Sequence, residues 1–260
     1  MTPTQALVLF IAGILAGGLN ALAGGGGFIT LPVLIWSGSA PILANIDGTL
    51  AVWPGAIASL FAFRRNLQGD KHPLKLYMGV GVLGSSLGAG LLLYTTNSFF
   101  VSLLPWLLLF ATSLFIFGRV ITDRLILLGG GADPFPKPLI VFLLFLIAVY
   151  GGYFGGGMGI MTLAVLTLIG MRDIHEMNAL KAALVMVITG VGVAIFVVTG
   201  KVEWPRCLVM MVGCAIGGYA AGNLSQRVDS GKLRRFIALL ASAMTAYFFF
   251  RTYGRYLPGH

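Results

Sequence analysis

Of the 260 residues, 58% are hydrophobic and only 10% charged, and the mean hydropathy is +0.94. A soluble domain needs about 25% charged residues to cover its surface, so this composition excludes one. The net charge of +9 does not point to nucleic acid, because the basic residues gather in short segments between apolar stretches, as the positive-inside rule expects.

Apolar stretches long enough to cross a hydrocarbon core of about 30 Å recur along the chain. With 37 glycines and no polar/apolar alternation of the kind an outer-membrane barrel shows, helices are the spanning structure left. In chain order the predicted segments are Thr4 to Ala23, Phe28 to Ser37, Ile42 to Phe63, Leu74 to Thr95 and Ser98 to Ile121. A second set follows: Pro138 to Phe154, Met158 to Gly170, Met177 to Thr199, Cys207 to Leu224 and Leu233 to Tyr253. The N-terminus has no Lys or Arg ahead of its apolar run, which argues against a removable signal peptide. The two cysteines, Cys207 and Cys214, share one apolar stretch and offer neither a disulfide framework nor a CxxC site.

Each set reads as a long helix, a glycine cluster, a short segment and three long helices. Adding 132 to a residue number carries Gly24, Gly25 and Gly27 onto Gly156, Gly157 and Gly159, Thr30 onto Thr162, and Gly38 onto Gly170. We therefore expect an all-α polytopic membrane protein of about eight to ten transmembrane segments, built from two repeats (1–121 and 138–260) with a linker at 122–137. Paired, interrupted hydrophobic segments in two halves point to a secondary transporter with its substrate near the midplane. Loop charge predicts that the repeats are inverted: Arg64, Arg65, Lys71 and Lys75 crowd one loop, and Arg119, Arg124 and Lys137 flank another, while Thr95 to Ser98 has none. In the second half Arg227, Lys232, Arg234 and Arg235 crowd the counterpart of Thr95 to Ser98. The weak step is the short segments, since ten residues span about 15 Å, half a bilayer.

The glycine clusters, AGGGGFITLP at Ala23 to Pro32 and GGYFGGGMGIMTLA at Gly151 to Ala164, should break their helices, because glycine costs roughly 1 kcal/mol against alanine in a helix interior. The helix after each break begins with unpartnered N–H groups and a positive dipole end, so Gly24, Gly25, Gly26, Gly27, Gly156, Gly157 and Gly159 are candidate anion ligands. Close helix packing by glycine is the alternative reading. Thr30 and Thr162, about one turn in, either reach the ligand or cap their own helices. Lys181 lies in the first turns of an apolar helix, where a charge needs a functional partner or must snorkel to the headgroups. Its counterpart, Thr49, is neutral. Asp47 beside it is a candidate proton carrier or partner for Lys181, or a helix-start aspartate stabilised by the dipole. Asn20, Asn178 and Tyr153 are candidate polar support. Nucleotide, zinc-protease and serine-nucleophile motifs are absent, which argues against an enzyme, a cofactor or a metal.

These residues resemble the TauE/SafE, or sulfite exporter, family. The likeness rests on GGGGFITLPVL at Gly24 to Leu34 and GGYFGGGMGIMTL at Gly151 to Leu163, and extends over essentially the whole chain. It implies an inner-membrane secondary transporter that exports or imports a small anion such as sulfite, an organosulfonate or a related acid; the expected function is export, coupled to protons or driven by the membrane potential. Lipid and a small anionic substrate would be its partners, with homo-oligomerisation left open. A passive anion channel, or a membrane-embedded enzyme or accessory subunit, is the alternative. Where relatives carry a Thr-Asn-Lys-like stretch this chain has Asp47, Gly48 and Thr49; the second half retains Lys181, and the counterpart of Pro32 is Ala164.

Overall fold

A computed structural model describes residues 1–23, 25–63, 73–128, 135–171, 174–224 and 230–254. Its helices, in order, are α1 (Pro3–Ala23), α2 (Gly27–Trp36), α3 (Pro41–Phe63), α4 (Leu74–Tyr94) and α5 (Asn97–Leu128). They are followed by α6 (Lys137–Tyr153), α7 (Met158–Leu168), α8 (Ile174–Val198), α9 (Trp204–Leu224) and α10 (Ser230–Tyr253). Pro3–Ala21, Leu74–Tyr94, Asn97–Gly118 and Glu176–Val198 are both long and apolar enough to cross a membrane. Large apolar side chains such as Leu83, Phe99, Phe117 and Phe142 stay exposed on the outside, as a hydrocarbon solvent permits. One difference from the sequence reading falls at the linker. Helix α5 does not stop at Ile121 but runs on to Leu128, because no glycine or proline interrupts that stretch until Gly129.

Glycines decide which helices touch. Gly13 lies against Met210 and Gly213, and Gly18 against Gly217 and Ala221; the numbers rise together, so α1 and α9 run parallel. Gly84 lies against Phe145 and Ala148, and Gly88 against Val149 and Tyr153, so α4 and α6 are parallel as well. A Cβ on Gly17, Gly88 or Gly217 would sit inside the facing backbone of Cys214, Val149 or Ile14. These contacts are the small-residue helix packing expected in a membrane, where close van der Waals approach replaces hydrophobic drive.

The remaining registers fix the other directions. Helices α3 and α9 are parallel, since Asp47 meets Glu203 and Gly55 meets Gly218. Helices α5 and α10 are antiparallel, since Ser102 meets Tyr253 and Thr112 meets Thr245. Short connections reverse α4 into α5 and α8 into α9, and α4 runs with α8, since Gly81 lies against Ile188 and Gly192 against Ser85, so α3, parallel to α9, opposes α4. The short helices turn back: the Gln5 amide donates to the Ser37 carbonyl at 3.4 Å, and the Phe135 N–H to the Leu168 carbonyl at 3.3 Å. Thus α2 ends beside the start of α1, and α7 beside the start of α6. Ten residues suffice for that return because Gly26 packs against Ala16 and Asn20 of α1, so α2 starts inside the bundle. Every helix of α1–α5 therefore runs opposite to the helix five places later.

The packing pairs exchange in the same way. The contact of α1 with α9 has its counterpart in α6 with α4, α3 with α9 in α8 with α4, α2 with α3 in α7 with α8, and α5 with α7 in α10 with α2.

Candidate functional site

Both glycine clusters open onto one internal cavity of about 110 Å³. This is smaller than the roughly 300–1,000 Å³ of pockets for drug-sized ligands, and suits a solute of a few heavy atoms.

The two breaks are built differently. Both close helix-start N–H groups onto cluster carbonyls, Phe28, Ile29 and Thr30 onto Gly25 and Gly26, and Met158, Ile160 and Met161 onto Gly155 and Gly157; at the first, Gly26 has ordinary right-handed geometry (φ −55°). At the second, Gly155 (φ 80°) and Gly157 (φ 77°) take left-handed backbone that only glycine adopts cheaply. The Tyr150 hydroxyl donates to the Gly156 carbonyl at 2.7 Å and ties this turn to α6. Among the described residues the N–H groups of Gly156, Gly157 and Gly159 have no backbone acceptor, which leaves a cluster of donors at the start of α7.

Asn20, Gly25, Gly27, Thr30, Thr49, Gly156, Gly159 and Lys181 all line the cavity. Lys181 donates to Asn178 Oδ1 at 2.9 Å, so Asn178 holds the ammonium rather than facing the cavity. An ammonium has three protons to donate, leaving two for a ligand. No acidic residue lines the cavity, and among the described residues Lys181 pairs with no carboxylate. Thr30 is buried, with no hydrogen-bond partner for its hydroxyl among the described residues.

Other candidates lie elsewhere. Gly24 is outside the described residues. Gly26 and Gly157 support the breaks without lining the cavity: Gly26 against α1, Gly157 against Ala111. Thr162 is buried and turns its hydroxyl to the Met158 carbonyl at 2.9 Å. Of the readings open for Asp47, pairing with Lys181 is not the one seen. The Asp47 carboxylate points toward α9, where Oδ1 accepts the Glu203 N–H at 3.1 Å, while its neighbours Gly48 and Thr49 face the cavity. Tyr153 hydrogen-bonds Thr95 through its hydroxyl, and its carbonyl accepts the Asn45 amide at 3.0 Å.

Sequence reasoning missed Asn45 and Thr189, both in the cavity wall. Asn45 lies one helical turn before Thr49, a spacing that puts both on one face; Thr189 lies eight residues after Lys181 on the face of α8 that repeats with the same period.

A polytopic helical bundle with a small cavity, lined by one lysine and by no acid among the described residues, has the form of a membrane transporter. Comparison with known proteins agrees. The family described as sulfite exporter TauE/SafE matches residues 9–248, and the chain belongs to it. A probable membrane transporter protein of Haemophilus influenzae is 30% identical over 248 residues, covering 92% of each chain. The probable membrane transporter protein YfcA of Escherichia coli is 26% identical over 257 residues, covering 98% of this chain and 93% of its own. A probable membrane transporter protein ORF9 of a Sinorhizobium species is 26% identical over 242 residues, 91% and 89% of the two chains. No solved structure matches.

Proposed function

We propose that this chain is a secondary exporter of a small anion, such as sulfite, an organosulfonate or a related sulfur-containing or organic acid, bound between the two helix breaks. The observation that carries the reading is Lys181: a cation at the wall of a small cavity with no acid among its lining residues, on the same wall as the unpartnered N–H groups that open α7. Each feature alone has a structural explanation; together they give an anion a point charge, a dipole end and neutral donors. The family description names a sulfite exporter, which agrees with an anionic substrate. Export of a negative charge is favoured by an inside-negative potential at about 2.3 kcal/mol per charge per 100 mV, so no nucleotide is needed.

The two halves act as inverted repeats in this reading. Support comes from the reversal of every helix direction between α1–α5 and α6–α10, and from the matching exchange of packing pairs. Charge then assigns the inner-membrane orientation. The connections from α3 to α4, α7 to α8 and α9 to α10 contain in sequence Arg64, Arg65, Lys71, Arg172 and Arg227, that from α5 to α6 contains no Lys or Arg, and those of the opposite face hold only Lys201. The first face is cytoplasmic and both chain ends lie outside.

Two experiments test this. Purified protein is titrated with sulfite, thiosulfate, methanesulfonate and acetate; no saturable binding of any anion would end the reading, and flux that never saturates in vesicles would make the protein a channel. With the native cysteines replaced, single cysteines at Asn97 and Ser230 should be labelled from opposite sides of the membrane. Labelling from one side refutes inversion.

A further inference from the structure

A second polar centre lies on the exofacial side of the cavity, outside the anion site. Asp47 is completely buried, at 0% exposure. Its Oδ1 accepts the Glu203 N–H at 3.1 Å, but Oδ2 has no hydrogen-bond partner among the described residues. In front of it stands a cluster that reaches the surface: Glu203 Oε2 accepts from the Ser39 hydroxyl at 2.5 Å and from Arg206 Nη1 at 2.9 Å. Glu203 and Arg206 remain 28% and 24% exposed. The cluster joins the start of α9 to the turn between α2 and α3, and Arg206 lies against Gly38 in that turn. Behind it, Gly48 and Thr49 of the same turn of α3 form the cavity wall.

Asp47 thus sits between the anion cavity and the exofacial solution, closed off from the latter by the Ser39, Glu203 and Arg206 contacts. Among the described residues the titratable groups facing it are Glu203, Arg206 and the Cys207 thiol, all from α9 and its start; α1, α2, α5 and α8 present none. Arg206 is already engaged by the Glu203 carboxylate. A bare carboxylate here would leave an oxygen desolvated and unpaired with a second carboxylate nearby, which is costly in a low-dielectric interior. Buried acids in membrane helices are placed for proton traffic for the same reason.

We infer that Asp47 is a proton-binding site whose protonated form holds the exofacial seal closed. Loss of the proton leaves two carboxylates facing one another across the seal and separates the start of α9 from the turn between α2 and α3. Asp47 then exchanges protons with the exofacial solution. The inference rests on the transporter reading above, and would supply its coupling step.

The protein carries its own probe. Cys207 is buried, with its thiol 3.7 Å from the Asp47 carbonyl, and Cys214 is the only other cysteine. In a Cys214→Ala background in lipid vesicles, a membrane-impermeant maleimide added on the exofacial side is used to label Cys207 with Asp47 present or replaced by Asn. Asp47→Asn keeps an acceptor for the Glu203 N–H but has no proton to lose. The labelling rate of the parent relative to Asp47→Asn should climb several-fold from mildly acidic to mildly alkaline medium. A flat ratio, or no labelling at any pH, overturns the inference. Infrared spectra at neutral pH provide a second measurement. A deuterium-sensitive carbonyl band of a protonated carboxyl should be present in the parent and in Lys181→Ala, and lost in Asp47→Asn. If the unmodified protein lacks the band, the inference fails even should Asp47→Asn not fold. Neither readout contains an anion, so their failure leaves anion transport standing, and the failure of anion binding leaves them interpretable.

Discussion

The two halves of the cavity wall share an architecture and divide the chemistry. The wall from α1–α3 is neutral: Asn20, Thr30, Asn45 and Thr49 offer amides and hydroxyls. The wall from α6–α8 holds Lys181 and a glycine turn fixed by two left-handed residues and by the Tyr150 hydroxyl. Residues equivalent by the 132-residue shift differ in kind: Thr49 against Lys181, Gly18 against Tyr150. A similar order of helices in the two halves thus does not make the two walls chemically equal. The second half supplies charge and a rigid turn, and the first supplies adaptable hydrogen bonds, so substitutions at paired positions should have unequal effects.

The largest inequality is expected between Lys181 and its neutral counterpart Thr49. Truncating one partner of a buried charge pair costs about 2–5 kcal/mol, so Lys181→Ala should weaken anion binding by at least about 30-fold, while Thr49→Ala costs far less. Thermal unfolding of Lys181→Ala should be nearly unchanged, because the ammonium makes no ion pair among the described residues. Lys181→Arg should recover only part of the affinity, since a planar fork does not replace a point charge held by Asn178. Titration of purified protein with sulfite decides this; a wild-type affinity in the alanine variant would mean that the lysine does not serve the site.

The breaks should differ in stability next. Gly157→Ala forces a side chain into left-handed backbone (φ 77°) at about 1–2 kcal/mol, and should lower the thermal midpoint. Gly27→Ala meets no atom within 4 Å and needs no such geometry, so its midpoint should hold while the cavity narrows. Tyr150→Phe removes the 2.7 Å bond to the Gly156 carbonyl and should cost about 0.5–1.5 kcal/mol. Equal midpoints for Gly157→Ala and Gly27→Ala would erase the contrast between a fixed and a plain break.

Much of this was legible in the sequence for physical reasons. Hydropathy and length expose membrane helices because lipid forbids unpaired backbone, and two glycine clusters at matching positions identify the breaks. Lys181 stood out because a charge in an apolar helix is expensive. What sequence did not reveal was direction around each helix axis. Asp47 and Thr49 are two residues apart, yet the first faces α9 and the second the cavity, since successive positions turn about 100°. Asn45 passed unnoticed because an amide in an apolar helix carries no charge to explain. The end of α5 lies beyond the expected Ile121 because the Gly- and Pro-rich turn residues begin only at Gly129, and the largely aliphatic Thr122 to Leu128 continues the helix.

The smallest contrast concerns the two threonines at matching positions. Both are buried, at 1% and 0% exposure for Thr30 and Thr162. The Thr162 hydroxyl is consumed by its own helix, donating to the Met158 carbonyl at 2.9 Å, and Thr162 is absent from the cavity wall. Thr30 lines the wall with its hydroxyl unpartnered among the described residues, and its side chain rests against Gly48 of α3. Valine keeps the shape of either residue and removes only the hydroxyl. A hydrogen bond to a charged group is worth about 1.5–3 kcal/mol, so Thr30→Val should weaken sulfite binding by about tenfold or more. Thr162→Val should leave affinity unchanged, because the carbonyl it abandons already accepts a helix bond. Equal losses of affinity in the two variants would mean that the threonines act through helix packing, and the first half of the wall would then contribute amides alone.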